Sequence, residues 1–422
     1  MGTYQRSVAA LLLSASLLGT IAPARAVKSS SIALDAAVRG RDVSVVVAAR
    51  GATLYEHEGA KRRTPASVQK LLLSMALFDS LGPKHRLATR IMSTTRKGVV
   101  DNLWVVGGGD PTMVTGWGDA AHTGVGRIAR RIERSGIRKV RGAVLVDGSA
   151  IGNDWDAPGW QPWSRDFAAR PTALALNGNR SADPTIAFGR ALTSALERRG
   201  VAVDGQPRFG RAPRNARRIA TVRSASLRDL VTHMNVTSSN FYAETLGKVL
   251  GAHTFGAPGT MAKGARAIER FATRRGVSVR AHDSSGLSYA NRVSASGVVT
   301  LLGRARLRSW GAALRRSLPR PGRGTLAGRL AGLPVRAKTG TLWSGASALA
   351  GWVELRGGAR AEFAILSRHV PKSLEDALVR VAAGMRAPAK PRRCGGSTSV
   401  AVTRCQLSRW WEEIGPPART PE

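Results

Sequence analysis

Leu71, Leu72, Met75, Phe78 and Leu81 recur at three-to-four spacing, with almost no charge between them, over the run LLLSMALFDSLGP. That period predicts a helix that is apolar on nearly every side and therefore deeply packed. Pro65 stands just ahead, where its fixed φ and missing N–H suit a helix start, and Gly82-Pro83 ends the run. Elsewhere the period shortens. Residues 43–58, VSVVVAARGATLYEHE, read as two β-runs around Arg50-Gly51, a hairpin signal. From 86 to 222 short β-runs such as LWVVGGGDPT and GAVLVDGSA alternate with glycines, interrupted by helical stretches at 124–135 and 187–199. Residues 224–250 predict helical segments meeting at 236–240, and 284–305 a turn-rich SSGLSYANR leading into an apolar helix. Three β-runs over 335–366 (VRAKTGTL, SALAGWVEL and AEFAILS) are separated by Gly-containing turns, as in an antiparallel meander, and a helix follows at 373–386. Strands and helices segregated in this way predict an α+β protein.

Both ends of the chain stand apart from that core. Arg6 precedes an apolar run over 8–18, and Ala24-Arg25-Ala26 supplies small residues where a signal peptidase cuts, so residues 1–26 read as an export signal. The run is too short to span a bilayer, no later stretch looks transmembrane, and no Cys follows the cleavage site to mark a lipid anchor. The expected product is exported, periplasmic or wall-associated. At the other end, 387–391 opens a linker into a tail holding the two cysteines, Cys394 and Cys405. In an exported protein such a pair is expected to form a disulfide, contributing on the order of 2–3 kcal/mol to the tail. Neither has a nearby His, and no metal-ligand spacing is visible. The domain expectation is a catalytic domain from 27–85 and 223–386, a β-rich insertion at 86–222, and the tail at 387–422.

Charge adds a question of partners. With 65 Lys and Arg against 27 Asp and Glu, the net charge is +38. Such a surface attracts polyanions: nucleic acid, anionic lipid, or anionic wall polymers. Export makes nucleic acid the weakest of these. The charge is spread along the chain, and a composition effect without any partner explains it as well.

Three short patterns carry the chemistry. Ser67-x-x-Lys70 places a hydroxyl and an amine on one face of a helix start, where positive potential favours a developing alkoxide and a desolvated lysine can accept the serine proton. Alone the pattern is weak, since a Ser at a helix start is far more often a cap. However, Ser238-Ser239-Asn240 is the only S-x-N and Lys338-Thr339-Gly340 the only K-T-G, in that order, on a helix–helix bend and a strand edge. GGGDPT lacks the Lys-Ser/Thr ending of a phosphate loop and reads as a turn.

These motifs resemble those of penicillin-binding proteins and serine β-lactamases. The stretches PASVQKLLLSMAL, VRGAVLVDGSAIG, ALNGNR, MNVTSSNFYAETL, DSSGLSYANRVS and VRAKTGTLWSGASALAGWVEL resemble the D-alanyl-D-alanine carboxypeptidase/endopeptidases among low-mass class C penicillin-binding proteins, over roughly residues 40–385. The resemblance implies a β-lactamase/transpeptidase-like domain with an inserted β-rich domain. It also implies a serine D,D-peptidase acting on peptidoglycan stem peptides and acylated by β-lactams, with no cofactor. Carried over, Ser67 is the nucleophile, Lys70 its base, Ser238 a proton relay and Asn240 a positioning amide. Lys338, Thr339, Gly340 and Thr341 bind substrate; Lys338 also helps depress the Lys70 pKa, and the Ser67 and Thr341 amides hold the oxyanion. Two departures show: Ser239 stands where Asp is common, and the short interval between Ser67 and Ser238 predicts loss of a further small domain. A class A β-lactamase is disfavoured because none of Glu133, Glu197, Glu244 and Glu269 has an Asn four residues on. A non-catalytic wall-binding scaffold is disfavoured by the intact set of polar residues, and a Ser-His-Asp hydrolase by the lack of a G-x-S-x-G elbow.

Overall fold

The computed structural model describes residues 22–95 and 97–389, with side chains from residue 30 onward. Most of the expected export signal (1–21) and both Cys394 and Cys405 lie outside the described residues. The first helix, α1 (Ala22–Val38), begins four residues before the expected end of that signal. The described residues through Ala387 form one compact unit.

Strands β1 (Val43–Ala49) and β2 (Ala52–His57) form the hairpin. Arg50 and Gly51 both have positive φ (55° and 81°), the turn whose twist matches the strands it joins. Among the described residues, eight further strands of four or more residues follow: β3 (Arg86–Ser93), β4 (Leu103–Val106), β5 (Ile137–Asp147), β6 (Ala202–Phe209), β7 (Arg217–Ser226), β8 (Val335–Thr341), β9 (Ala346–Glu354) and β10 (Arg360–Arg368). The main sheet has the order β8-β9-β10-β1-β2 and is antiparallel throughout, so the K-T-G strand is an edge. Its inner strand β9 is buried at every position but the last, as a strand covered on both faces must be. Ala348, Ala350 and Trp352 face one core with α2 (Gln69–Ser80), while Leu349 and Val353 face another with α1.

Helix α2 is buried from Gln69 through Phe78, which accounts for its all-round apolar pattern. It begins later than the proline suggests: a short 3₁₀ turn, Ala66–Val68, carries Ser67 into it. Around α2 pack α5 (Leu227–Thr237), α6 (Asn240–Phe255), α7 (Met261–Thr273) and α9 (Gly311–Ser317); α8 (Ala295–Arg306) lies against β10 and β1, and α10 (Lys372–Ala383) beside α1. The second sheet, β6-β5-β4-β3-β7, mixes parallel and antiparallel pairs. With α3 (Val125–Arg134) and α4 (Pro184–Glu197) it encloses its own core of Ile91, Val105, Ile128, Val144, Phe188 and Leu192. Helix α4 starts three residues before the periodicity indicates, because Asp183 caps it by accepting from Ile186 N. No described helix is long and apolar enough to cross a membrane.

Candidate active site

The nucleophile candidate sits at a backbone the sequence does not announce. Ala66, immediately before Ser67, is held at φ 46°, a left-handed conformation unusual for a side-chain-bearing residue. Two glycines make room for it. A Cβ on Gly286 would stand 1.9 Å from Ala66 O, and one on Gly340 would stand 2.8 Å from Ser67 N and 3.0 Å from Ala66 Cβ. The glycine of K-T-G is thus the reason the edge strand can lie against the Ser67 amide.

Lys70 is fully buried and surrounded by acceptors. Its Nζ donates to Ser67 Oγ (2.9 Å), Asn240 Oδ1 (2.6 Å) and Ser285 O (2.6 Å). Burial pushes its pKa from the ordinary 10.5 down to about 7, against the pull of the Asp283 and Glu244 carboxylates. Lys338, equally buried, donates to Ser238 Oγ (2.9 Å) and Thr339 O (2.7 Å). Its pKa is also lowered well below the lysine range, by burial first and then by the charge of Lys70. Two hydroxyl–lysine pairs therefore meet here, Ser67–Lys70 and Ser238–Lys338.

The helix junction explains the departure at Ser239. Ser238 takes a left-handed conformation (φ 58°) as the C-cap of α5, and Ser239 is the N-cap of α6, its side chain accepting from Tyr242 N. Ser and Asp are near-equal N-caps, so this position asks for a short acceptor and not for an acid. Asn240 is fixed at its far end by donating Nδ2 to Phe167 O (2.9 Å).

A buried acidic pair underlies the site and was not singled out from sequence. Glu244 Oε1 accepts from Ser284 N (3.2 Å) and Ser285 N (2.8 Å), and burial together with Asp283 raises its pKa to about 8. Asp283 accepts from Gly286 N, Ser288 N, Asn291 Nδ2 and Trp160 Nε1, all within 2.9 Å. These contacts fix the turn whose Ser285 carbonyl holds Lys70. The sequence marked SSGLSYANR as turn-rich, but nothing in it revealed that a main-chain carbonyl faces a lysine more than two hundred residues upstream.

Ser67, Asn240 and Thr341 line one cleft, together with Leu287, Tyr289 and Leu342. Above it three exposed rings pack together: Trp343 stacks on Trp163 (5.9 Å between centroids) and meets Phe167 edge-on (5.5 Å). Trp343 is 74% exposed and follows the K-T-G strand directly, which was the available signal. Thr339 is not among the residues lining the cleft: its hydroxyl donates to Thr325 Oγ1 (2.8 Å), and its carbonyl serves Lys338.

An antiparallel sheet with a buried helix delivering Ser-x-x-Lys, an S-x-N bend and a K-T-G edge defines a serine acyl-transfer enzyme of the penicillin-binding class. The profile of the D-Ala-D-Ala carboxypeptidase 3 (S13) family matches residues 26–182 and 176–385, and the chain belongs to that family. It is 29% identical to the D-alanyl-D-alanine carboxypeptidase of Actinomadura sp. (strain R39), covering 86% of this chain and 85% of the relative. That alignment runs over 468 positions against a chain of 422 residues, so gaps separate the two. Carboxypeptidase DacB of Mycolicibacterium smegmatis is 30% identical, with coverage of 86% and 85%. Among solved structures, penicillin-binding protein 4 of Haemophilus influenzae superposes with a TM-score of 0.68 at 19% identity, over 91% of this chain and 99% of that one. The same protein has been solved in complex with a β-lactam. The expected family and its transpeptidase-like fold are both borne out.

Proposed function

We propose that Ser67, Lys70, Ser238, Asn240 and Lys338 carry out the D,D-peptidase reaction of this family on peptidoglycan stem peptides. The observation that carries the assignment is the 2.9 Å bond between Lys70 Nζ and Ser67 Oγ, made by a lysine whose pKa lies at about 7. A neutral fraction of Lys70 takes the Ser67 proton as Oγ attacks the carbonyl of the penultimate D-alanine. The oxyanion is met by the amides of Ser67 and Thr341, a contribution typically of a few kcal/mol to the barrier. As the C–N bond breaks, Ser238 relays the proton taken up by Lys70 to the departing D-alanine amine, and Lys338 holds the substrate's terminal carboxylate. Water then cleaves the ester and restores Ser67. A β-lactam enters the same route and stops at the acyl stage. The segment 1–26 is read as directing export, and the basic surface as holding the enzyme on anionic wall polymer.

The test is intact mass after incubation with a penicillin. One drug-sized adduct mapping to Ser67 is expected, and Ser67→Ala should lose both the adduct and D-alanine release from a peptide ending in D-Ala-D-Ala. Labelling retained in that variant refutes the assignment.

A further inference from the structure

Helix α3 carries Arg127, Arg130, Arg131 and Arg134 at i, i+3, i+4 and i+7, a single stripe opposite its buried face of Val125, Ile128, Ala129 and Ile132. The stripe borders a groove that also takes Arg86, Arg223 and the exposed Trp117. All six arginines are exposed, and no carboxylate lines the groove. The two acids nearest in sequence to the stripe are engaged elsewhere, Glu133 by Arg199 and Asp119 by His122. Arg127 and Arg86 reach only backbone carbonyls, those of Asp119 and His122 for Arg127 and of Ser224 for Arg86, and Arg130 lies over the Trp117 ring at 5.8 Å. Among the described residues, Arg131, Arg134 and Arg223 make no ion pair, and none is hydrogen-bonded. Arg223 is close enough to add to the downward push that burial and His253 exert on the His85 pKa.

Unpaired like charges at i, i+3 and i+4 destabilise a helix. The helix dipole accounts for cations in its last turn, where Arg131 and Arg134 sit, but not for Arg127, nor for Arg86 and Arg223 on the neighbouring strands. Composition alone does not account for a groove from which every acid is missing either, because other arginine-rich depressions hold one: Asp79, which takes Arg275 and Arg308, and Glu354. Guanidinium forks match phosphate oxygens two by two, and a stripe over seven residues is about 10 Å long, enough for more than one phosphate.

We propose that this groove binds the phosphodiester chain of an anionic wall polymer and thereby holds the peptidase against its substrate. The proposal rests on the reading of the protein as a wall D,D-peptidase and assigns that attraction to one surface. The experiment uses the full chain and cell-wall sacculi prepared with their phosphodiester polymer retained or removed by acid. Cosedimentation is followed from low to high salt. Wild type should bind retained walls at least tenfold more tightly than stripped ones, and lose that advantage as salt rises. Arg131→Glu/Arg134→Glu/Arg223→Glu should lose at least tenfold, and the matching triple Gln variant, which adds no acid at the helix end, should lose most of that. A control with the same charge change on another face, Arg274→Glu/Arg280→Glu/Arg304→Glu, should bind within about twofold of wild type. Equal losses in groove and control variants overturn the proposal in favour of diffuse charge, and so does equal binding to stripped walls. Binding displaced by duplex DNA as readily as by soluble phosphodiester polymer overturns it in favour of an unselective polyanion surface. Penicillin labelling of Ser67, measured on the same samples, keeps a failure of the groove apart from a failure of the enzymatic reading.

Discussion

The most searching perturbation of the proposed chemistry is Asn240→Asp. It changes one atom type and places a carboxylate oxygen where Asn240 Oδ1 stands, 2.6 Å from Lys70 Nζ. In wild type, a lysine of pKa about 7 is neutral in about a tenth of molecules at pH 6, half at pH 7 and nine tenths at pH 8. The second-order rate of acylation by a chromogenic penicillin should therefore rise about tenfold from pH 6 to 8 and then level off. An adjacent opposite charge raises a pKa by roughly 1–3 units, which would carry the midpoint in the variant to about 8–10. At pH 7 the neutral fraction then falls from about half to between about a tenth and a thousandth, so acylation drops roughly 5- to 500-fold and recovers as pH rises. The variant also loses the amide bond from Asn240 Nδ2 to Phe167 O, which lowers the plateau without moving the midpoint. The midpoint, read from pH 5.5 to 10.5, is therefore the diagnostic quantity. A variant midpoint within half a unit of wild type refutes Lys70 as the titrating base. A wild-type rate climbing tenfold per pH unit through pH 9 refutes its lowered pKa.

Two further outcomes follow from neighbouring contacts. Lys338→Ala should cost more for substrates with a free terminal carboxylate than for the same peptides amidated there, as kcat/KM for the two measures; an equal loss would leave Lys338 only its bond to Ser238. Glu244 has a folded pKa of about 8 against an ordinary 4.5, so the stability it contributes is fully present below 4.5 and is lost as pH rises through 8. Glu244→Gln carries no such proton, so its deficit in unfolding free energy relative to wild type should shrink between pH 5 and 9, by on the order of a few kcal/mol. A deficit constant across that range would show that Glu244 does not titrate there.

How much of this was legible in the sequence depends on whether a feature is local. The all-round apolar run of α2, the Arg50-Gly51 turn and the three strands of the meander each follow from side chains within a few residues of one another, and the structure has them. The three motifs were legible because each sets its distinctive residues at fixed short spacing along the chain. Helix α7 was not assigned, although Ala265, Ile268 and Ala272 give it a buried face; the segment simply bears no motif to draw attention to it. Ala66 at positive φ was hidden for a different reason, because its conformation is set by Gly286 and Gly340 from distant strands and turns. The same holds for Glu244 and Asp283. Sequence weighed Glu244 only as a possible deacylating glutamate, whereas packing puts it behind Ser284 and Ser285, acting through a turn on Lys70.

The segment 152–168 shows how far the site depends on what lies outside its motifs. Sequence texture set residues 86–222 apart from the catalytic stretches, yet this part of them reaches the site at several points. Trp160 Nε1 donates to Asp283 Oδ2, Pro158 O accepts from Ser288 Oγ, and Phe167 O accepts from Asn240. Lys248, buried on α6, donates to Gly152 O and the Asp154 carbonyl and pairs with the Asp154 carboxylate at 3.1 Å. Each contact holds a group one step removed from Lys70: the carboxylate that pulls on its proton, the turn whose carbonyl it bonds, the amide that orients it, and the helix that bears that amide. A lysine can be kept at a pKa near 7 only if water is excluded and its acceptors cannot relax. The motif elements supply the proposed reacting atoms, but it is this segment that closes one side around them. The two parts of the chain therefore meet at one site, where the region without motifs fixes Asp283 and Asn240, the groups that bear on Lys70.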